Sequence, residues 1–230
     1  STKIPNSSLV MEMKGCCKGM PAVICGSGPS LDEQLELLKH YENDVVIFAG
    51  GTSLLKLCSS GITPNVIAGL DPSSRECGRY FYSPYYEVPF CFKPRFNCKA
   101  LDMTHNPLMY FGGTTGYKIS SWIDQELEMP VSECKGGIFT TNTCISIAGI
   151  LGCSSIILLG MDLSKPLDNY KEKTLEEEVS NSSCIMKNSL GESVVSHWQW
   201  ASSLEWFVEY QNYYPHINFI NTSQKGLVIP

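Results

Sequence analysis

Short apolar runs alternate along the chain with longer segments in which apolar residues recur every three or four positions. The clearest runs begin at Ala22, Val45, Val66 and Ile156, and a further strand is predicted at 217–220. A run of four or five apolar residues is typical of a strand that is buried on both faces of a parallel sheet. The pattern therefore predicts buried strands that alternate with helices.

This alternation predicts an α/β protein with a three-layer, Rossmann-like fold and a mostly parallel sheet. Residues 1–20 have little periodicity and are interpreted as an N-terminal arm, so that 21–230 form a single nucleotide-binding domain. The segment from Glu76 to Asp124 is rich in Tyr, Phe and Pro and is interpreted as a variable insertion. The acidic and polar segment at 168–190 predicts a surface loop or lid.

Two helices have recognisable sequence signals. Ser30 and Glu33 have the spacing of a capping box, which predicts that a helix begins at Ser30. Later in the chain, apolar residues at helical spacing predict the inner face of another helix, made by Trp200, Leu204, Phe207 and Val208. The tryptophans at 198, 200 and 206 are interpreted as core residues on the same grounds.

The composition excludes several classes of protein. The chain has 230 residues, a net charge of -6 and a pI near 5.2, which argues against nucleic acid as its main partner, because neutralising phosphates requires a basic surface. The stretch at 138–161 carries no charge, but it contains many Ser, Thr and Gly residues and is interpreted as a buried helix and strand. No membrane span is therefore predicted.

The cysteines indicate a reduced protein. There are 11 cysteines, an odd number, with no CxxC pair and no histidine at zinc-site spacing, so no zinc site is predicted. Cys25, Cys144 and Cys153 lie in apolar segments, where a free thiol packs as a small hydrophobic group. We therefore expect free thiols and a cytoplasmic location.

The predicted strands end in small or polar residues, and the carboxyl ends of parallel strands form the usual ligand site of such sheets. These residues are Gly26, Ser27, Gly28, Gly50, Gly51, Thr52, Asp71, Asp162 and Asn221. The loop Gly26-Ser27-Gly28-Pro29-Ser30 can present backbone amides and a helix N-terminus to an anion. It lacks the lysine of a P-loop and the third glycine of the dinucleotide motif, so a tight turn without a ligand is the alternative.

Asp71 and Asp162 directly follow buried strands and allow several roles. Each carboxylate could hold a divalent metal, a ribose hydroxyl or a loop amide. Each could equally cap a turn or helix. The sequence alone leaves these possibilities open.

His197 is the candidate general base. It lies between the polar 168–190 segment and an aromatic helix, and the ordinary pKa of histidine suits proton transfer near neutral pH. The alternative is a histidine at a helix start that is hydrogen-bonded to the backbone.

Three blocks of sequence together resemble the MptE-like domain. They are 18–32, with Gly26-Ser27-Gly28-Pro29-Ser30-Leu31; 61–72, ending in Asp71-Pro72; and 151–163, ending in Gly160-Met161-Asp162-Leu163. That domain occurs in archaeal 6-hydroxymethylpterin diphosphokinases and in motility accessory factors of flagellin glycosylation. Gly28-Pro29-Ser30-Leu31 and the block from Gly136 to Asp162 also resemble bacterial sialyltransferases that use a CMP-activated donor.

The resemblance implies a nucleotide or nucleotide-sugar ligand and an acceptor that is a protein, a glycan or a pterin. In the sialyltransferases the glycine loop and the start of the later helix hold the nucleotide, which implies such a role for Gly136, Gly137 and Thr140. A histidine after the lid is their base, which His197 matches in chain order. Three functions remain open: a CMP-sugar glycosyltransferase, an ATP-dependent diphosphokinase in which Asp71 and Asp162 hold magnesium, and a non-catalytic nucleotide-binding module. No cofactor other than this possible magnesium is expected.

Overall fold

The computed structural model describes residues 7–81, 83–85, 87–113, 118–129, 136–167 and 182–230. Its strands are β1 (Ser8–Leu9), β2 (Pro21–Cys25), β3 (Val46–Ala49), β4 (Val66–Gly69), β5 (Phe90–Phe92), β6 (Leu108–Tyr110), β7 (Ser155–Leu159), β8 (Lys165–Pro166), β9 (Ser183–Lys187), β10 (Ser193–His197) and β11 (Asn218–Asn221). Its α-helices are α1 (Leu35–His40), α2 (Thr52–Ser59), α3 (Arg75–Phe81), α4 (Cys98–Met103), α5 (Lys118–Glu126), α6 (Thr140–Ile150) and α7 (Trp198–Tyr213). Short 3-10 helices occupy Val10–Met13 and Pro29–Gln34.

Eight strands form one parallel sheet in the order β1-β6-β5-β4-β3-β2-β7-β11. From β2 the chain builds the sheet outward through β3, β4, β5 and β6, and it then returns to place β7 on the other side of β2. The order of the strands therefore reverses between β2 and β7. In open α/β sheets this switch point is where ligands bind.

Helices cover both faces of the sheet because successive side chains of each strand point to opposite sides. In β2, Ala22 and Ile24 face the core that contains α6, whereas Val23 and Cys25 face the core beneath α1 and α2. The predicted three-layer α/β fold is confirmed.

The aromatic-rich middle segment is part of the sheet. Phe90, Phe92 and Tyr110 are fully buried, and the strands that carry them, β5 and β6, lie between β4 and the edge strand β1. Sequence reasoning missed this because three-residue strands give no clear periodicity.

The N-terminal segment packs onto the same domain. β1 pairs with β6, Val10 is fully buried, and the Cys17 amide donates to the Leu151 carbonyl oxygen over 2.8 Å. These contacts join residues 7–20 to the sheet and to the end of α6.

Two local predictions are corrected. The predicted lid at 168–190 lies partly outside the described residues, but Ser183–Lys187 form β9 in a small antiparallel sheet of order β8-β10-β9. In α7 the buried face carries Phe207 and Tyr210, whereas Val208 is 41% exposed. None of the helices in the described ranges is both long and apolar enough to cross a membrane.

Candidate functional site

A cavity of about 440 Å³ opens at the carboxyl ends of β2, β3 and β7, beside the switch point of the sheet. Nine of the predicted site residues line it: Gly26, Ser27, Gly28, Pro29, Gly50, Gly51, Thr52, Thr140 and Asp162. The cavity wall also includes Arg79, Lys165 and Trp200, none of which was predicted as a site residue. Ser30, Asp71, Gly136, Gly137, His197 and Asn221 are not among its lining residues.

The glycines of the first loop are required by contacts within the protein. The Gly26 amide donates to the Leu159 carbonyl over 2.7 Å, and the Gly28 amide donates to the Gly160 carbonyl over 2.9 Å. A Cβ atom would lie 2.3 Å from the Gly160 oxygen at position 26, and 2.2 Å from Oδ2 of Asp162 at position 28. The loop after β2 therefore packs directly against the loop after β7, and only glycine leaves room for this.

Asp162 holds three segments together. Its Oδ2 accepts a hydrogen bond of 2.9 Å from the Ser30 amide, and its Oδ1 accepts one from the Ser223 hydroxyl. Its own carbonyl accepts from the Leu227 amide over 2.8 Å. Of the roles left open by the sequence, the structure shows Asp162 bound to a loop amide.

The capping-box prediction for Ser30 is wrong. Gly28 precedes the 3-10 helix Pro29–Gln34, and the Ser30 hydroxyl is buried without a hydrogen-bond partner in the described part of the chain. The carboxylate of Asp162 takes the place at this helix start where a ligand anion was expected.

A second helix start opens onto the cavity. Its N-cap residue, Phe139, makes no side-chain cap, although Oδ1 of Asn142 accepts a hydrogen bond of 3.1 Å from the Phe139 amide. Helix α6 begins after Phe139, and Thr140 and Thr141 line the cavity. The first amides of a helix have no intrahelical acceptor and favour an anion. In the same turn the Asn142 side chain is fully buried, and its Nδ2 has no hydrogen-bond partner among the described residues.

Glycines fix the position of this helix start. A Cβ atom at Gly50 would lie 2.5 Å from Cγ2 of Thr140, and one at Gly137 would lie 2.3 Å from Cβ of Asn142. The Gly136 carbonyl accepts a hydrogen bond of 2.9 Å from Nε1 of Trp206. Gly136 and Gly137 therefore hold the loop before α6 in place rather than lining the cavity themselves.

His197 stands next to the cavity, behind a tryptophan. It ends β10 and immediately precedes α7, with Nδ1 3.4 Å from the Ser183 hydroxyl. Its ring contacts Trp200 edge to face, with ring centroids 4.7 Å apart. Trp200 lines the cavity, which corrects its assignment as a core residue.

Arg79 is the cavity residue that sequence reasoning missed most clearly. It lies on α3 and forms an ion pair with Glu76, one turn earlier, whose side chain is 2% exposed. Burial raises the pKa of Glu76, and the neighbouring guanidinium opposes this rise. The sequence signal for this pair is the i,i+3 spacing of Glu76 and Arg79, but it lies inside the segment that the sequence pattern indicates as an insertion.

Cys25 also lines the cavity, but it is a poor nucleophile. Burial raises the pKa of its thiol to about 12, so the thiolate is scarce near neutral pH. The ten cysteines in the described residues all have free thiols, as the sequence predicted.

Asp71 and Asn221 act as turn residues. Oδ1 of Asp71 accepts a hydrogen bond of 2.8 Å from the Ser73 amide, and Oδ1 of Asn221 accepts one of 3.1 Å from the Ser223 amide. Asp71 is exposed and lies outside the cavity lining, while the Asp162 oxygens bind Ser30 and Ser223. The two aspartates therefore do not fit a shared magnesium site, and the described residues contain no group of three side chains suited to a metal.

The fold and the cavity define a Rossmann-like α/β protein whose candidate site lies at the switch point of a parallel sheet. Residues 2–167 match the model of the family described as 6-hydroxymethylpterin diphosphokinase MptE-like, and the chain belongs to this family. No curated protein matches the chain.

The structure is also similar to that of the MAf glycosyltransferase from Magnetospirillum magneticum AMB-1. The TM-score is 0.73 at 20% sequence identity, which supports the same fold. The match covers 97% of this chain and 34% of the other, so this chain spans about a third of the glycosyltransferase's length.

Proposed function

We propose that this protein is a nucleotide-dependent glycosyltransferase that moves a sugar of the nonulosonic acid type from a CMP-activated donor to a protein or glycan hydroxyl. One observation carries the proposal: the start of α6 lines the switch-point cavity, and the ring of His197 packs against Trp200, which lines the same cavity. The similarity to a named glycosyltransferase supports this choice.

The start of α6 is the proposed site of the donor phosphate. Its amides and the hydroxyls of Thr140 and Thr141 can donate hydrogen bonds to the phosphate as negative charge grows on it during bond cleavage. The loop at 26–30 has a different part in the proposal, because its Gly26, Gly28 and Ser30 amides already bind acceptors of the protein. It forms a wall against which the donor packs.

His197 is the proposed general base. In the tautomer that this requires, Nδ1–H donates to the Ser183 hydroxyl and Nε2 holds the free lone pair. Nε2 takes the proton of the acceptor hydroxyl as its oxygen bonds to the anomeric carbon. The bond from that carbon to the phosphate oxygen breaks, and CMP leaves with the electron pair. Attack from the opposite face inverts the anomeric configuration.

Diphosphoryl transfer to a pterin-like alcohol is the second candidate, because the family is described by that activity. The arrangement of Asp71 and Asp162 gives it no support. Asp71 is committed to an exposed turn, and the Asp162 carboxylate already joins the loops after β2 and β7 to the C-terminal segment.

Replacing His197 with alanine tests the proposed base. CMP release from CMP-N-acetylneuraminic acid should fall by about 10²- to 10⁴-fold, with water standing in for the acceptor, because general-base catalysis contributes that much. CMP affinity measured by calorimetry should stay within about twofold, since the base does not bind the phosphate. His40→Ala is the matched control, because His40 is exposed at the end of α1. Unchanged CMP release in His197→Ala would refute this role.

A further inference from the structure

Arg79 combines access to the cavity with a fixed position. Its side chain is 30% exposed and lines the cavity, and α3 carries it over the carboxyl ends of β3 and β4. The next residue, Tyr80, secures this end of the helix. Its hydroxyl accepts a hydrogen bond of 3.0 Å from the Gly51 amide and donates one of 2.9 Å to the Ala68 carbonyl.

Glu76 holds the guanidinium in one orientation. One Nη of Arg79 binds the buried Glu76 carboxylate. Because a guanidinium has five N–H donors in a planar fork, the pair leaves donors for a ligand. A buried carboxylate needs a partner charge, so Glu76 in turn keeps the arginine from swinging into solvent.

The guanidinium and the start of α6 flank the same pair of glycines. A Cβ atom at Gly51 would lie 3.6 Å from Nη1 of Arg79, while one at Gly50 would lie 2.5 Å from Cγ2 of Thr140. An anion above Gly50-Gly51 would therefore meet Arg79 on one side and the helix start on the other. The sequence pattern does not indicate this position of Arg79 beside the cavity.

We propose that Arg79 binds the anionic group of the donor and that Glu76 is its positioning residue. The inference rests on the proposed function, because a CMP-activated nonulosonic sugar carries two anions, a phosphate and a carboxylate. A guanidinium binds either in a bidentate manner. The ligands chosen for the test separate these two sources.

The test compares wild type, Arg79→Gln and Arg75→Gln by calorimetry with CMP, cytidine, N-acetylneuraminic acid and ADP. Arg75 is the matched control because it is exposed on the same helix and does not line the cavity. Arg79→Gln should bind CMP about tenfold or more weakly and cytidine with unchanged affinity, as expected for loss of a charged hydrogen bond to phosphate. A loss confined to N-acetylneuraminic acid would assign Arg79 to the sugar carboxylate.

Glu76→Gln tests the positioning role. It keeps the shape of the side chain but weakens its hold on Arg79, so the ratio of CMP to cytidine affinity should fall while the melting temperature reports any general loss of structure. If the melting temperature falls but the ratio of CMP to cytidine affinity is unchanged, Glu76 has only a structural role. If Arg79→Gln does not fold, Arg79→Met serves instead, because it keeps the aliphatic part of the side chain without the charge. Wild-type affinity of that variant for both CMP and N-acetylneuraminic acid would overturn the assignment.

The outcomes separate this inference from the proposed function. Wild-type affinity of Arg79→Gln for both CMP and N-acetylneuraminic acid would overturn the inference and leave the transferase proposal standing. If the wild type binds ADP and not CMP, and Arg79→Gln loses ADP, the proposed donor is refuted and the role of Arg79 stands. If the wild type binds none of the four compounds, both fail.

Discussion

Replacing Asp162 with alanine removes the carboxylate that joins the loop after β2, the loop after β7 and the C-terminal segment. The side chain is 5% exposed and accepts hydrogen bonds from the Ser30 amide and the Ser223 hydroxyl. Without it, these two donors lose their acceptor at a buried position. The structure therefore predicts a loss of stability rather than a loss of ligand binding alone.

The size of the loss follows from the two bonds. A hydrogen bond to a charged group contributes about 1.5–3 kcal/mol, so losing two of them should lower the free energy of unfolding by at least about 3 kcal/mol. For a chain of this size each kcal/mol corresponds to roughly 2–4 °C in melting temperature. The melting temperature is therefore expected to fall by at least about 6–12 °C.

Thermal and urea denaturation of Asp162→Ala measure this change, with Asp71→Ala as the control. Asp71 is exposed and accepts one bond within its own turn, so its removal should lower the melting temperature by no more than about 2 °C. An Asp162→Ala protein that melts with the wild type but loses magnesium-dependent ligand binding would refute the structural role and favour the diphosphokinase.

Two further predictions come from the packing. Gly28→Val should lower the urea concentration at the midpoint of denaturation and also weaken ligand binding, because even its Cβ atom would lie 2.2 Å from Oδ2 of Asp162. An unchanged midpoint would contradict the close approach of the two loops. In the native protein at pH 8, the exposed Cys98 should react with iodoacetamide while Cys25 should not, since a pKa near 12 leaves about one thiol in ten thousand ionised. Mass spectrometry before and after unfolding measures this, and rapid native alkylation of Cys25 would contradict its burial.

The strands around the site could be predicted from the sequence because each is a continuous apolar run. Ala22-Val23-Ile24-Cys25 and Ile156-Ile157-Leu158-Leu159 are typical of strands in the interior of a parallel sheet. Their direction then places the loops after them on one edge, and nine predicted residues do line the cavity there. Short strands such as Phe90–Phe92 escaped because three residues do not establish a period.

The partners of the site residues could not be read from the sequence. The Gly26–Ser30 motif is compatible with an anion site and with a tight turn, and the choice depends on Asp162, which is 132 residues away from Ser30. Arg79 was missed for the same reason, since its place at the cavity depends on α3 packing over β3 and β4. Contacts across long sequence separations are set by the whole fold, and no local pattern encodes them.

Calorimetric titration of the wild-type protein with CMP, and separately with ATP and magnesium, distinguishes the proposed glycosyltransferase from a diphosphokinase. The proposed function predicts saturable CMP binding at a 1:1 ratio that does not require magnesium, with ATP binding more weakly whether or not magnesium is present. Tight binding of ATP only with magnesium, and no binding of CMP, would contradict the glycosyltransferase proposal and would favour diphosphoryl transfer as the function.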